Sequence, residues 1–212
     1  MTPDTSPEAV TKLFTRSDGS YLFARWGRPI APVAFGIEDS TVSILKGAIE
    51  AVCQLAGHEV AETDPELGSN FMVFFLREWH ELVDTPNLDR MIPELGPLVE
   101  RLTAADANQY RLFRFEPDGG IKACFVFVRM DDAMAELPAE TICLGQVVHS
   151  ILLWSDEAFQ GTSPLAVTGN DIAILKPDVA AVVRAAYDRV MPVAANDASH
   201  ALRLAARIGA AS

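Results

Sequence analysis

Apolar and polar positions along the chain follow two periods, one near two residues and one near three and a half. Ile30, Val33, Phe35 and Ile37 mark Ile30–Ile37 as a strand, and Pro32 places it at a sheet edge, because proline cannot donate to a ladder. From Asp39 or Ser40, either of which can cap a helix, Val42, Leu45, Ile49, Val52 and Cys53 recur three to four apart up to about Ala56. Gly57 then stands where a left-handed residue closes a helix. A short strand near Glu59–Glu62 and a loop through Pro65 and Gly68 lead to Phe71–Leu76, a dense apolar strand. Arg77–Val83 reads as a helix, followed by a helical stretch to about Ala105 that Pro93 and Pro97 interrupt.

The strongest local signal is a hairpin. Tyr110–Phe115 alternates, with Leu112, Phe113 and Phe115 among arginines, and Ile121–Met130 returns after the turn Pro117-Asp118-Gly119-Gly120. Ala139–Leu153 is apolar on several sides, as a buried helix is. A loop over Ser155–Asn170 precedes a helix that starts at Pro177 and shows Val179, Val182, Val183, Ala186 and Tyr187 on one face. The pattern predicts an α+β fold: a single domain over residues 21–192, with a mixed sheet, a central hairpin and packed helices. Residues 1–20 read as a loose lead, and 193–212 as an alanine-rich tail or short helix. Tyr21, Phe23 and Trp26 are expected to pack onto the sheet.

Composition narrows the function. Half of the 212 residues are apolar, and 17 Lys+Arg against 29 Asp+Glu give a formal charge of −12. Such a balance excludes a nucleic-acid binder, which needs cations to displace phosphate counterions, and an anionic membrane surface as partner. No stretch has membrane-spanning length, and the polar first eleven residues do not read as a secretory signal, so the chain as numbered reads as cytoplasmic. The charge is uneven: twelve acids and three arginines lie between Glu50 and Asp106, while the C-terminal end carries more arginine than acid. A solvated acidic face is expected there.

Nucleotide-binding glycine motifs and the G-x-S-x-G elbow are missing from the sequence. Cys53, Cys124 and Cys143 form no C-x-x-C pair and read as buried thiols, with a Cys124–Cys143 bridge left open. Two segments carry candidate metal chemistry. His80-Glu81-Leu82-Val83-Asp84 spells H-E-x-x-D, which on a helix would put His80 and Asp84 one turn apart as ligands and Glu81 beside them as a base. Thr85-Pro86-Asn87 ends that helix at once, so a solvated face is the expectation. In the second, Gly145-Gln146-Val147-Val148-His149 stands where a zinc peptidase has H-E-x-x-H. Glycine cannot ligate and glutamine cannot accept a proton, which leaves His149. Cys143 and His149 lie roughly 9 Å apart along the helix axis, too far to pair as nucleophile and base.

The run Leu22-Phe23-Ala24-Arg25-Trp26-Gly27-Arg28-Pro29-Ile30 resembles the opening of a proteobacterial domain family of unknown function, number 2927. Asn170-Asp171-Ile172-Ala173-Ile174-Leu175-Lys176-Pro177-Asp178, continuing to Ala186-Tyr187-Asp188, is similar to its later part. Cys143–Leu153 lies where that family resembles the active helix of zincin-like metallopeptidases. The resemblance covers about residues 20–192. It implies a zincin-like fold, with a central helix behind an edge strand, and no established activity. Members often look exported or lipidated, which this chain as numbered does not, so the resemblance adds a periplasmic location only as the alternative to the cytoplasmic one.

An acidic residue typical of the family's active-helix region stands here as Gln146. The expectation is therefore a degenerate, catalytically inactive domain without a cofactor. It would bind a protein or small ligand between the sheet edge and the Cys143–Trp154 helix, through Cys143, Gln146, His149 and Trp154. The rival is a metal-dependent hydrolase that holds zinc with His149 and residues such as Asp156, Glu157 or His80. A third reading is an adaptor whose acidic face docks a basic protein.

Overall fold

The computed structural model describes residues 4–170 and 172–210. The first three residues of the expected lead, Asp171 of the second motif run, and the last two residues of the tail lie outside the described residues. In chain order the elements are α1 (Pro7–Lys12), β1 (Phe23–Ala24), β2 (Pro32–Phe35), α2 (Asp39–Ala56), β3 (Phe71–Leu76), α3 (Glu81–Asp84), α4 (Leu88–Met91) and α5 (Leu95–Ala104). They continue as β4 (Gln109–Phe115), β5 (Ile121–Arg129), α6 (Asp132–Ala135), α7 (Ala139–Ile151), β6 (Leu165–Val167), β7 (Ala173–Leu175), α8 (Pro177–Ala186), β8 (Ala194–Ala195) and α9 (Ser199–Ala210).

The main sheet runs β2-β3-β5-β4. β2, β3 and β5 are parallel, and β4 closes back antiparallel on β5. Every residue of β3 is buried, as a parallel strand covered on both faces requires. Phe71, Val73 and Phe75, with Cys124, Val126 and Val128, face the layer built by α2, α7 and α8. Met72, Phe74 and Leu76, with Ala123, Phe125 and Phe127, face the thinner layer of α3, α4 and α5. Gly57 closes α2 in the left-handed conformation at φ 66°. Gly36, at φ 77°, lets β2 leave the sheet: a Cβ there would lie 2.0 Å from the Phe75 carbonyl oxygen.

Several elements depart from the sequence pattern. Residues 7–12 of the expected lead form α1, with Val10 and Phe14 fully buried, and α1 packs against α9. The tail supplies β8, which pairs with β1, and the amphipathic α9, whose His200, Ala201, Leu204 and Ile208 are buried. Both ends thus pack into the core; the first reads as loose because α1 is too short to show a period, while α9 is the short helix expected in the tail. Glu59–Glu62 is reduced to a single bridge, between Ile30 and Val60. The helix expected over Arg77–Val83 begins at Glu81, because the Glu81 carboxylate accepts from the N–H groups of Arg77 and Glu78 and holds them in a turn. Pro97 sits inside α5, in the first turn where its missing N–H has no helical partner to lose.

Within the loop expected over Ser155–Asn170 lies β6, hairpinned to β7. Tyr21, Phe23 and Trp26 are buried, and Cys53, Cys124 and Cys143 are free buried thiols, so Cys124 and Cys143 are not bridged. No helix among the described residues is long and apolar enough to cross a membrane.

Candidate functional site

The two motif runs converge on one end of α7. The last carbonyls of any helix lack partners within it, and here aromatic donors supply them. The Trp26 indole donates to the Ser150 carbonyl at 2.9 Å, the Tyr187 hydroxyl to Ile151 at 2.8 Å, and the Trp154 indole to Val148 at 2.8 Å. Arg25 lies over the Tyr187 ring and donates to the carbonyls of Trp26 and Met191. Burial pushes the Tyr187 phenol far up, so it stays a donor at any ordinary pH. These residues fix where α7 lies relative to the sheet.

Held in this way, α7 lies against β5, and a side chain of α7 reaches the edge strand β4. On the α7 side of β4 stand Gln109, Arg111 and Phe113, and from α7 comes Gln146. Arg111 Nη2 donates to Gln146 Oε1 at 2.6 Å and to Gln109 Oε1 at 2.8 Å. Gln146 Nε2 also donates to Gln109 Oε1, at 3.2 Å. One cation is therefore bracketed by two neutral amides. Its Nε is buried without a partner, and no carboxylate pairs with it among the described residues. Burial pulls the guanidinium down to about 10, which leaves it charged at neutral pH. A part-buried cation without a counter-ion is costly to fold around.

The neighbouring groups are tuned by the same burial. His149 meets the Phe159 ring edge-on at 5.0 Å, and burial, with Arg111 nearby, pushes its imidazole down to about 3. It is thus neutral under all ordinary conditions. Beneath Arg111, burial pushes the Cys124 thiol up to about 12 against the opposing influence of Arg111 and a hydrogen bond with Ser150. Cys143 is likewise raised to about 11, by burial and then by Glu140. Neither thiol is poised as a nucleophile.

Of the residues expected at a site, Gln146 alone joins the Arg111 cluster directly, with His149 beside it. Trp154 stacks on Phe14 at 5.5 Å and closes the end of α7. Asp156 accepts from the backbone and hydroxyl of Ser17, tying the loop after α7 to the N-terminal turn. Glu157 is exposed. His80 and Asp84 are exposed at the ends of the short α3, in the layer on the other face of the sheet, and do not meet His149.

Zinc does not fit the residues beside α7. His149 has a guanidinium as neighbour, Gly145 and Gln146 offer no anionic ligand, and no group of three or more His, Cys, Asp or Glu able to hold a metal ion is found among the described residues. What the cluster can hold is an oxyanion, since a guanidinium with spare donors matches a carboxylate fork. Arg111 and Gln109 are absent from the expectations drawn from sequence. Nothing in Gln109–Phe115 sets Arg111 apart from Arg114, since both stand among apolar residues on the strand; only the contact with Gln146 of α7 distinguishes it. No protein family, no curated protein and no solved structure matches this chain.

Proposed function

We propose that this chain is a zincin-like binding domain without peptidase chemistry, which receives the carboxylate of a small ligand or partner between β4 and α7. The observation that carries the reading is Arg111, a part-buried cation held by two neutral amides, with an unpaired Nε and no counter-ion among the described residues. Support also comes from Gln146, which links α7 to β4 and which, by the resemblance of Cys143–Leu153 to a zincin-like active helix, would stand in place of an acidic residue. Perturbed charges of this kind concentrate at functional sites, where fold stability is given up for binding.

The experiment is calorimetric titration of the full chain with succinate, glutarate and inorganic phosphate, repeated on Arg111→Met. One anion binding at one site per chain, weakened at least about tenfold in the variant while its circular dichroism is unchanged, is the expected result. Absence of binding by all three, or equal binding by the variant, overturns the reading. So does stoichiometric zinc in protein purified without chelator.

A further inference from the structure

On the face of the sheet opposite Arg111, the layer of α3, α4 and α5 covers the strands at one end and stops short of the other. At that other end lies a groove of about 380 Å³, with the buried Met72 of β3 and Phe125 of β5 at its floor and the exposed Leu67, Met91 and Phe115 as its walls. These walls come from three separate segments: the loop before β3, α4 and the end of β4. Leu67, Met91 and Phe115 are 42%, 46% and 44% exposed, so three of the chain's large exposed apolar side chains gather at one place. Scattered exposed apolar residues need no explanation, but a concave cluster of them marks a binding surface. Its two methionines can shift to follow the outline of a ligand.

Two cations stand at the rim. Lys122 is neutralised by Glu66. Arg114 donates to the Met91 carbonyl at 3.3 Å and has no carboxylate partner among the described residues. A chain of formal charge −12 thus leaves a positive charge uncompensated at the mouth of its apolar groove. Apolar walls with one cation at the mouth complement an anion with an apolar tail. The volume lies at the low end of the roughly 300–1,000 Å³ of small-molecule sites, which favours a single short chain over a folded partner.

We propose that this groove binds a small amphiphilic carboxylate, its head group on Arg114 and its tail against Met72, Met91 and Phe125. The site is separate from Arg111 and does not depend on the function proposed for β4 and α7. The probe is decanoate, added below its micellar concentration to the full chain carrying ¹³C-methyl methionine. The expected result is saturable one-to-one binding that moves the Met72 and Met91 methyl resonances and leaves the other methionines still. Arg114→Gln weakens it about tenfold, the loss of one charge-assisted contact, and Arg111→Met leaves it unchanged. Equal binding of decanol, no effect of Arg114→Gln, movement of all methionine methyls together, or no saturable binding each overturns the proposal.

Discussion

Arg111 and Gln146 are joined by a 2.6 Å hydrogen bond from a guanidinium to a neutral amide, in the position where a buried arginine ordinarily meets a carboxylate. The desolvation of that cation is offset only in part. Replacing a buried charged group by apolar side chains of similar volume is often neutral or stabilising. Arg111→Met combined with Gln146→Leu is therefore expected to raise stability by about 1–3 kcal/mol, seen as a higher urea midpoint at unchanged slope. A fall of that size would instead make Arg111 a structural residue.

Tyr187 tests the clamp on α7. Tyr187→Phe keeps the ring and removes the donor to the Ile151 carbonyl. A buried carbonyl left unpaired costs about 1–3 kcal/mol. Amide exchange in the last turn of α7 is expected to quicken more than exchange in β3, and equal quickening of both would count against a local clamp.

His200 sets a pH dependence. Its Nδ1 shares a 2.8 Å hydrogen bond with the Tyr21 hydroxyl, its Nε2 is buried without a partner, and burial, with Arg203 nearby, pushes it down to about 4. Unfolded histidine titrates near 6.5. Between these values the unfolded chain binds a proton that the folded chain refuses, so stability falls as pH drops from about 6.5 to about 4. The loss from His200 is on the order of 3 kcal/mol, and His149, pushed down to about 3, acts in the same direction. Urea unfolding at pH 7.5 and 4.5 measures the slope. His200→Gln should flatten it, and an unchanged slope would remove His200 from the account.

Two glycines give opposite results. Gly36→Ala must place a methyl group against the Phe75 carbonyl at positive φ, and is expected to cost at least about 2 kcal/mol. Gly47 lies on the exposed side of α2 with open space around it, so Gly47→Ala should stabilise by about 0.5–1 kcal/mol. Thermal melts of the two variants check both signs.

Long periodic segments were readable from sequence because burial repeats along them. α2 with its Gly57 cap, β3, and the β4–β5 hairpin lie close to where the apolar pattern puts them. The β6–β7 hairpin was not readable, since three-residue strands cannot establish a period. Pro97 misled because proline breaks a helix interior but suits its first turn, and the sequence does not mark where that turn begins. At the site, Gln146 and His149 were legible from their spacing on α7. Arg111 was not: an arginine between apolar residues on a strand reads as facing solvent, and only the packing of α7 against β4 reveals that it is covered.

The pairing of β1 with β8 and of α1 with α9 has a kinetic consequence. Tyr21 and His200 are 179 positions apart, and a six-residue helix such as α1 has no stability of its own. At about 5–20 residues per second of synthesis, the N-terminal segment waits roughly 10–40 s for the partner that holds it. Until then Phe23, which the finished fold buries completely, lacks the His200 ring that packs on it at 4.2 Å. The contacts of α1 with α9 and of β1 with β8 are thus the last that synthesis makes possible, and they close the fold from both sides.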